Sequence, residues 1–427
     1  MGLPGTCIIR VTGPTRPLGG QIAPPGNKNT AMPAIVAGVL SKVGAEIQNV
    51  PNIADVRELC SILASLGLEF KLESGILTTQ PCGPTQSTIQ TELSSRLRGS
   101  VYPLAVLACS FTSCEIGEIG GDSIGSRTLE PHARALAGYG VEMRRQANGW
   151  RLVGGPARPG EFTLNDRPAG ISASCLALLL GAGLEGRSVI HGVSQELEVR
   201  DIVECVNALG ASASIDEGSI VVKGPLGKER ASWAIPADHI YCGTMAIATV
   251  MTGGEARLPG GMVNRMPSIF KALNDIGVEC SADKAILRLG SHSLKAAAVL
   301  TAPSPGFPSD LAPQMAALLT QAHGTSVLTE KINLKRFDHL EGLRLLGADC
   351  QADGDQVTIT GRSSLKATQV RGAGIRETAA LVLASLVADG TTVIEGAESL
   401  FRGFEDLPRD LTAMGAVVNA TWLPRTH

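Results

Sequence analysis

A short tag, an apolar or small residue followed by Gly, recurs six times at the ends of helix-like segments and dictates how this chain can fold. The copies are Ser65-Leu66-Gly67, Gly138-Tyr139-Gly140, Ala208-Leu209-Gly210, Asp275-Ile276-Gly277, Leu345-Leu346-Gly347 and Ala413-Met414-Gly415. Successive glycines lie roughly 70 residues apart, which is long enough for a whole small α/β unit. Gly after a helix fits a left-handed C-cap that turns the chain into the next strand. Upstream of each tag sits a run apolar nearly all round: Ala31 to Leu40, Val101 to Cys109, Ser174 to Gly181, Thr244 to Met251, Leu311 to Thr320 and Glu377 to Val387. Helices of that kind have no face for water, so they are expected in the interior with sheets outside. A strand-like run follows, as in Ser188-Val189-Ile190 and Thr391-Thr392-Val393-Ile394. A second, amphipathic helix then leads into the tag, with Leu59 and Leu63, or Val203 and Val206, on its apolar stripe.

The expectation is an α/β chain of two domains, each built from three βαβαββ-type units. A break near Trp233 to Asp238 places the domains at 28–236 and at 1–27 plus 237–427. The strand Cys7 to Val11 then pairs with the second half, leaving a two-stranded hinge near Pro24-Pro25 and Pro236. A length of 427 residues suits two cores, and 44% apolar residues fill them. The formal net charge of −3 gives no global basic field for nucleic acid or an anionic membrane. Ten scattered cysteines without a C-x-x-C pair read as buried free thiols of a reducing compartment, not as disulfides or a metal site. The start of the chain has no signal pattern, and apolar runs are shorter than a membrane span. A cytoplasmic protein is expected.

Four stretches carry chemistry. Pro25-Gly26-Asn27-Lys28-Asn29-Thr30-Ala31-Met32-Pro33 opens the first buried helix. Gly120-Gly121-Asp122-Ser123-Ile124-Gly125-Ser126-Arg127, followed by His132, forms a glycine-rich loop. Ala302-Pro303-Ser304-Pro305-Gly306-Phe307-Pro308-Ser309-Asp310 precedes another buried helix, and Arg98, Arg336, Arg376 and Arg402 hold matching places in their repeats. These segments resemble the enolpyruvyl transferase family that includes the UDP-N-acetylglucosamine enolpyruvyl transferases. The family opens G-x-K-N-x-x-x-P, carries a G-G-C-x-I-G-x-R loop and reads A-P-H-P-x-F-P-T-D. The shikimate-pathway branch usually opens G-S-K-S instead, so Asn27-Lys28-Asn29 favours the nucleotide-sugar branch.

The resemblance covers essentially the whole chain. It implies an inside-out α/β barrel of the EPSP synthase type, and transfer of the enolpyruvyl group of phosphoenolpyruvate to a hydroxyl with release of phosphate. No metal or redox cofactor is required, only a general base and a general acid. A carboxylate and a phosphate on one small molecule need several cations that converge without neutralising partners, and the planar fork of Arg grips either group. Lys28, Asp122, Asp310 and Arg402 are the implied catalytic residues. Asn29, Arg98, Arg127, His132, Arg167, Ser309, Arg336 and Arg376 are the implied substrate ligands. Lys28 at a helix start can act with free N–H groups on a phosphate. Cations drawn from both domains imply closure on substrate, with the loop 119–128 as a lid. Asp310, next to the helix at Leu311, reads as the base for the acceptor hydroxyl or as a plain helix cap.

Asp122 stands where many relatives carry the Cys that is both acid–base residue and target of the epoxide fosfomycin. A carboxylate is the poorer nucleophile, so fosfomycin resistance is expected; a plain turn Asp is the bland reading. Glu196, Glu198 and Asp201 echo a family E-x-E-x-x-D stretch, but are read here as a solvated helix start. The acceptor half departs from the family. Its P-D-R-I-E stretch becomes Pro236-Ala237-Asp238-His239-Ile240-Tyr241, and S-V-G-A-T becomes Ala169-Gly170-Ile171-Ser172-Ala173. The acceptor is therefore UDP-N-acetylglucosamine in cell-wall synthesis, or another nucleotide such as UMP, which relatives in nucleoside-antibiotic pathways use. A non-catalytic binding relative is disfavoured by the retained charged residues.

Overall fold

The computed structural model describes residues 3, 5–121, 128–164, 169–259, 261–281, 286–289, 294–334 and 336–424. The six tags end helices as their sequence requires. Gly67, Gly140, Gly210, Gly277, Gly347 and Gly415 all have positive φ, from 79° at Gly140 to 111° at Gly415, where a side chain would be strained.

The described residues form six four-stranded sheets of one pattern. A short edge strand runs parallel to its neighbour, and two further strands follow antiparallel. In the first such sheet the order is Ala231–Ala234, Ala45–Gln48, Ile76–Thr79 and Phe70–Glu73. The last sheet is completed by the start of the chain. Gly5–Gly13 lies between Gly390–Glu395 and Val417–Pro424, with Ile9 opposite both Ile394 and Ala420. Along Gly5–Gly13 burial alternates, with Cys7, Ile9 and Val11 inside and Thr6, Arg10 and Thr12 outside. That alternation is what a sheet with one face on a core demands.

The chain divides into two compact units. One is Gly26–Ala237; the other combines Leu3–Pro25 with Asp238–His427. The chain passes between them twice, and the two passages run side by side. Gly26 bridges Ala237, Asn27 N–H donates to Pro236 O at 2.9 Å, and Asp238 N–H donates to Pro25 O at 2.8 Å.

Within each unit three helices fill the centre. In the first, Lys28–Leu40, Leu104–Ser110 and Ile171–Gly183 pack on one another. In the second, His239–Met251, Ala312–Leu319 and Ile375–Ser385 do the same. Side chains such as Ile35, Leu178, Ile247, Leu318 and Val382 are fully buried. Each such side chain contributes about 1.5–3 kcal/mol on leaving water, which offsets the loss of a wettable face. No described helix is long and apolar enough to cross a membrane. All ten cysteines are free thiols.

Candidate active site

In the first unit the helix Lys28–Leu40 begins on a capping residue. Asn27 Oδ1 accepts from Thr30 N–H at 2.9 Å, which fixes the helix start and with it Lys28 and Asn29. Lys28 Nζ lies 2.8 Å from Asp55 Oδ2 in the first turn of Ala54–Ser65, and both side chains are largely buried. Asn29 is half-buried on the same turn. Arg98 opens a short 3-10 turn, Arg98–Val101, and its Nη2 donates to Thr128 O at 2.9 Å.

The entrance to the glycine-rich loop is packed onto that turn. Gly120 N–H donates to Ser94 O at 3.0 Å, and a Cβ on Gly120 would fall 1.7 Å from Ser95 O. A Cβ on Gly121, at φ +121°, would fall 2.7 Å from the Arg98 Cβ. Only glycines allow the backbone this close, so the Gly-Gly pair anchors one end of the loop beside Arg98. Asp122, Arg127 and Arg167 lie outside the described residues.

His132 is buried and shares a 2.9 Å hydrogen bond between Nε2 and Ser172 Oγ, while Nδ1 has no partner. Desolvation, reinforced by the nearby Arg98 charge, pulls its pKa down to about 3, so the ring is neutral at ordinary pH. A neutral imidazole offers hydrogen bonds and not charge to a ligand.

The second unit carries a denser charge cluster. Asp310 sits in the short 3-10 turn Ser309–Leu311 ahead of Ala312–Leu319. Its Oδ1 accepts from Arg336 Nη1 at 2.8 Å and its Oδ2 from Arg376 Nη2 at 3.2 Å. Arg336 Nε donates to Glu377 Oε1 at 2.8 Å. Burial opposes the Arg336 charge, but Asp310 and Glu377 outweigh it and raise the pKa above the ordinary Arg value. Arg376 lies over the Phe404 ring, 5.4 Å from its centre, and its buried Nη1 has no partner. Ser309 Oγ donates to the buried Glu330 at 2.7 Å and accepts from Asn333 Nδ2 at 2.8 Å. Glu330 also takes Thr301 Oγ1 and the N–H groups of Ile332 and Asn333. Arg402 is half-buried at the end of the 3-10 turn Ala397–Arg402. A buried guanidinium donor without a partner, a carboxylate with 29% of its side chain open and convergent guanidiniums make a cluster that can bind an anion and accept a proton.

Residues 12–411 match the EPSP synthase family, 3-phosphoshikimate 1-carboxyvinyltransferase. The chain belongs to the EPSP synthase family. Among relatives, UDP-N-acetylglucosamine 1-carboxyvinyltransferase of Halothermothrix orenii is 31% identical over 402 residues, covering 94% of this chain and 96% of that protein. UDP-N-acetylglucosamine 1-carboxyvinyltransferase 2 of Mesorhizobium japonicum is 32% identical over 414 residues, covering 96% and 98%. The crystal structure of the enolpyruvyl transferase NikO from Streptomyces tendae shares the fold at a TM-score of 0.87 and 23% identity, covering 99% of this chain and all of that one. EPSP synthase from Acinetobacter baumannii does so at 0.75 and 16% identity. The inside-out EPSP synthase fold and the enolpyruvyl transferase class are thereby those of this chain.

Three readings from sequence change at this site. The cations of an EPSP synthase-family site were expected without neutralising partners, yet Lys28, Arg336 and Arg376 each contact a carboxylate. Asp310 is not at the cap position of the following helix, which falls on Leu311, and its carboxylate meets the two arginines. Glu198 and Asp201 are buried, not solvated, and Asp201 Oδ2 accepts from Thr30 Oγ1 at 3.1 Å. The signal for that was present. Glu198, Asp201 and Cys205 follow the i, i+3, i+7 stripe that buries one face of Leu197–Ala208. No local pattern in the sequence points to Asp55, Glu330 or Glu377, whose partners Lys28, Ser309 and Arg336 lie 27, 21 and 41 residues away.

Proposed function

We propose that this enolpyruvyl transferase moves the 1-carboxyvinyl group of phosphoenolpyruvate onto a hydroxyl of UDP-N-acetylglucosamine, in cell-wall synthesis. The observation that carries the acceptor is the identity of 31% over 94% of the chain with a relative of that name. The chemistry is addition followed by elimination. Asp310 takes the proton of the acceptor hydroxyl, the oxygen attacks C2 and C3 gains a proton. The tetrahedral intermediate then loses phosphate and the C3 proton. Two guanidiniums fix the plane of the Asp310 carboxylate, so it accepts a hydrogen bond from the hydroxyl in a set direction. Asp122 is assigned the C3 proton, and Lys28, Arg98, Arg127, Arg376 and Arg402 the anionic groups. Asn29, His132, Arg167, Ser309 and Arg336 complete the proposed site. Ser309 acts through its backbone or by giving up its bond to Glu330.

A second reading keeps the same transfer but takes another nucleotide acceptor such as UMP. It rests on Pro236 to Tyr241, where the Arg and Glu of the family stretch are absent and Asp238 instead caps His239–Met251. Phosphate release from phosphoenolpyruvate separates the two. The expected result is release with UDP-N-acetylglucosamine and none with UMP or shikimate 3-phosphate. Release with UMP alone would move the protein to the second reading, and silence with all three would remove both acceptors.

A further inference from the structure

We propose that Glu377 is a positioning residue that aims Arg336 at Asp310 and offsets part of the positive charge beside it; this rests on Asp310 being the base. Every residue of Ile375–Ser385 is buried, Glu377 among them. A carboxylate in such a helix is costly unless paired and hydrogen-bonded, so its presence calls for a role that an apolar residue cannot fill. Its partner is Arg336, at 2.8 Å, with only 4% and 6% of the two side chains exposed. Glu377 occupies Nε of the guanidinium. That leaves the Nη1 edge for Asp310 at 2.8 Å and for Ser309 O at 3.3 Å. The guanidinium is planar, so fixing one edge fixes the other. Gly374 leaves room for the carboxylate, since a Cβ there would stand 2.6 Å from Glu377 Oε2.

Charge gives the second half of the role. Arg336 and Arg376 are two cations, and Asp310 and Glu377 are two anions. Removing the Glu377 charge shifts the surroundings of Arg336 by one unit toward positive. The cluster then attracts an anionic substrate more strongly, while Arg336 loses the contact that orients it. Substrate binding and turnover thus move in opposite directions, which a merely loosened fold does not produce.

The experiment is a double-mutant cycle with Glu377→Gln, Asp310→Asn and both together. Phosphate release from phosphoenolpyruvate is measured per folded enzyme, with the acceptor that supports turnover. Asp310→Asn is expected to lower kcat by about 10²–10⁴-fold. Glu377→Gln is expected to lower kcat by about 10-fold or more while KM for phosphoenolpyruvate falls, as lost orientation costs turnover first. Added to Asp310→Asn, it should lower kcat by less than about 3-fold further, because coupled residues are not additive. Wild-type kcat in Glu377→Gln, or losses that multiply, would overturn the positioning role. Wild-type kcat in Asp310→Asn would instead overturn the base assignment, and the proposal with it.

Discussion

Asp310 shows at the scale of single residues what one chain can and cannot disclose. Its place after Phe-Pro-Ser was legible because the segment is contiguous, and the arginines were legible because they recur at matching repeat positions. Their partners were not legible. Asp310 lies 26 residues from Arg336 and 66 from Arg376, and Glu377 lies 41 from Arg336, separations that follow no local period. Local patterns report a helix face or a strand face, whereas an ion pair between repeat units leaves no such trace. Asp122 is the opposite case, a residue outside the described ones whose proposed role rests on the resemblance of its loop to the family's. Its carboxylate has an ordinary pKa far below that of a thiol, and it is a weak nucleophile toward an epoxide. Fosfomycin is expected to leave the wild-type enzyme active during prolonged incubation with the acceptor. Asp122→Cys should make inactivation rapid and covalent, readable as a mass increase on the protein. Rapid loss of wild-type activity would show that this position does not govern the reaction.

Glycines do two different jobs among the elements, and the sequence distinguished only one of them. The six helix-end glycines were recognisable by period, and their positive φ is a local requirement. Gly120 is needed for a nonlocal reason, the approach of its backbone to Ser95 in another element. The two jobs predict different phenotypes. Gly140→Ala meets no atom within 4 Å, so it carries backbone strain alone. It should cost about 1 kcal/mol of stability with kcat unchanged. Gly120→Ala must push the loop entrance away from Ser95 and Arg98. It should lower kcat by about 10-fold or more, since small displacements of a catalytic loop are amplified in rate. Thermal melting and kcat measured on both variants check the contrast. Equal kcat in the two would mean that the loop entrance does not set the geometry of the reaction.

Across the whole molecule the repeat made the architecture legible, because each unit must bury an apolar helix and only stacked units can do so. What it hid is that each compact unit also buries a histidine in its neutral form. His132 lies in the unit Gly26–Ala237 and His339 in the other. Neither His339 nitrogen has a hydrogen-bond partner. Desolvation, with Arg336 and Arg344 adding to it, lowers its pKa from 6.5 to about 3, and desolvation with Arg98 does the same for His132. The unfolded chain takes up a proton at each ring once the pH falls below 6.5, whereas the folded protein resists until about 3. Folding stability is therefore full above pH 6.5 and falls through the interval beneath it, by about 1.4 kcal/mol per pH unit for each ring. Between pH 7.5 and 5.0 each unit should lose about 2 kcal/mol from this source. Of the three tryptophans, Trp422 belongs to the second unit and Trp150 and Trp233 to the first. With Trp150 and Trp233 changed to Phe, urea unfolding followed by Trp422 fluorescence reports the second unit alone. His339→Leu should narrow the gap between its stabilities at pH 7.5 and pH 5.0 by about 2 kcal/mol. An unchanged gap would mean that His339 is protonated in the folded protein well above pH 5, with a proton acceptor reaching its ring.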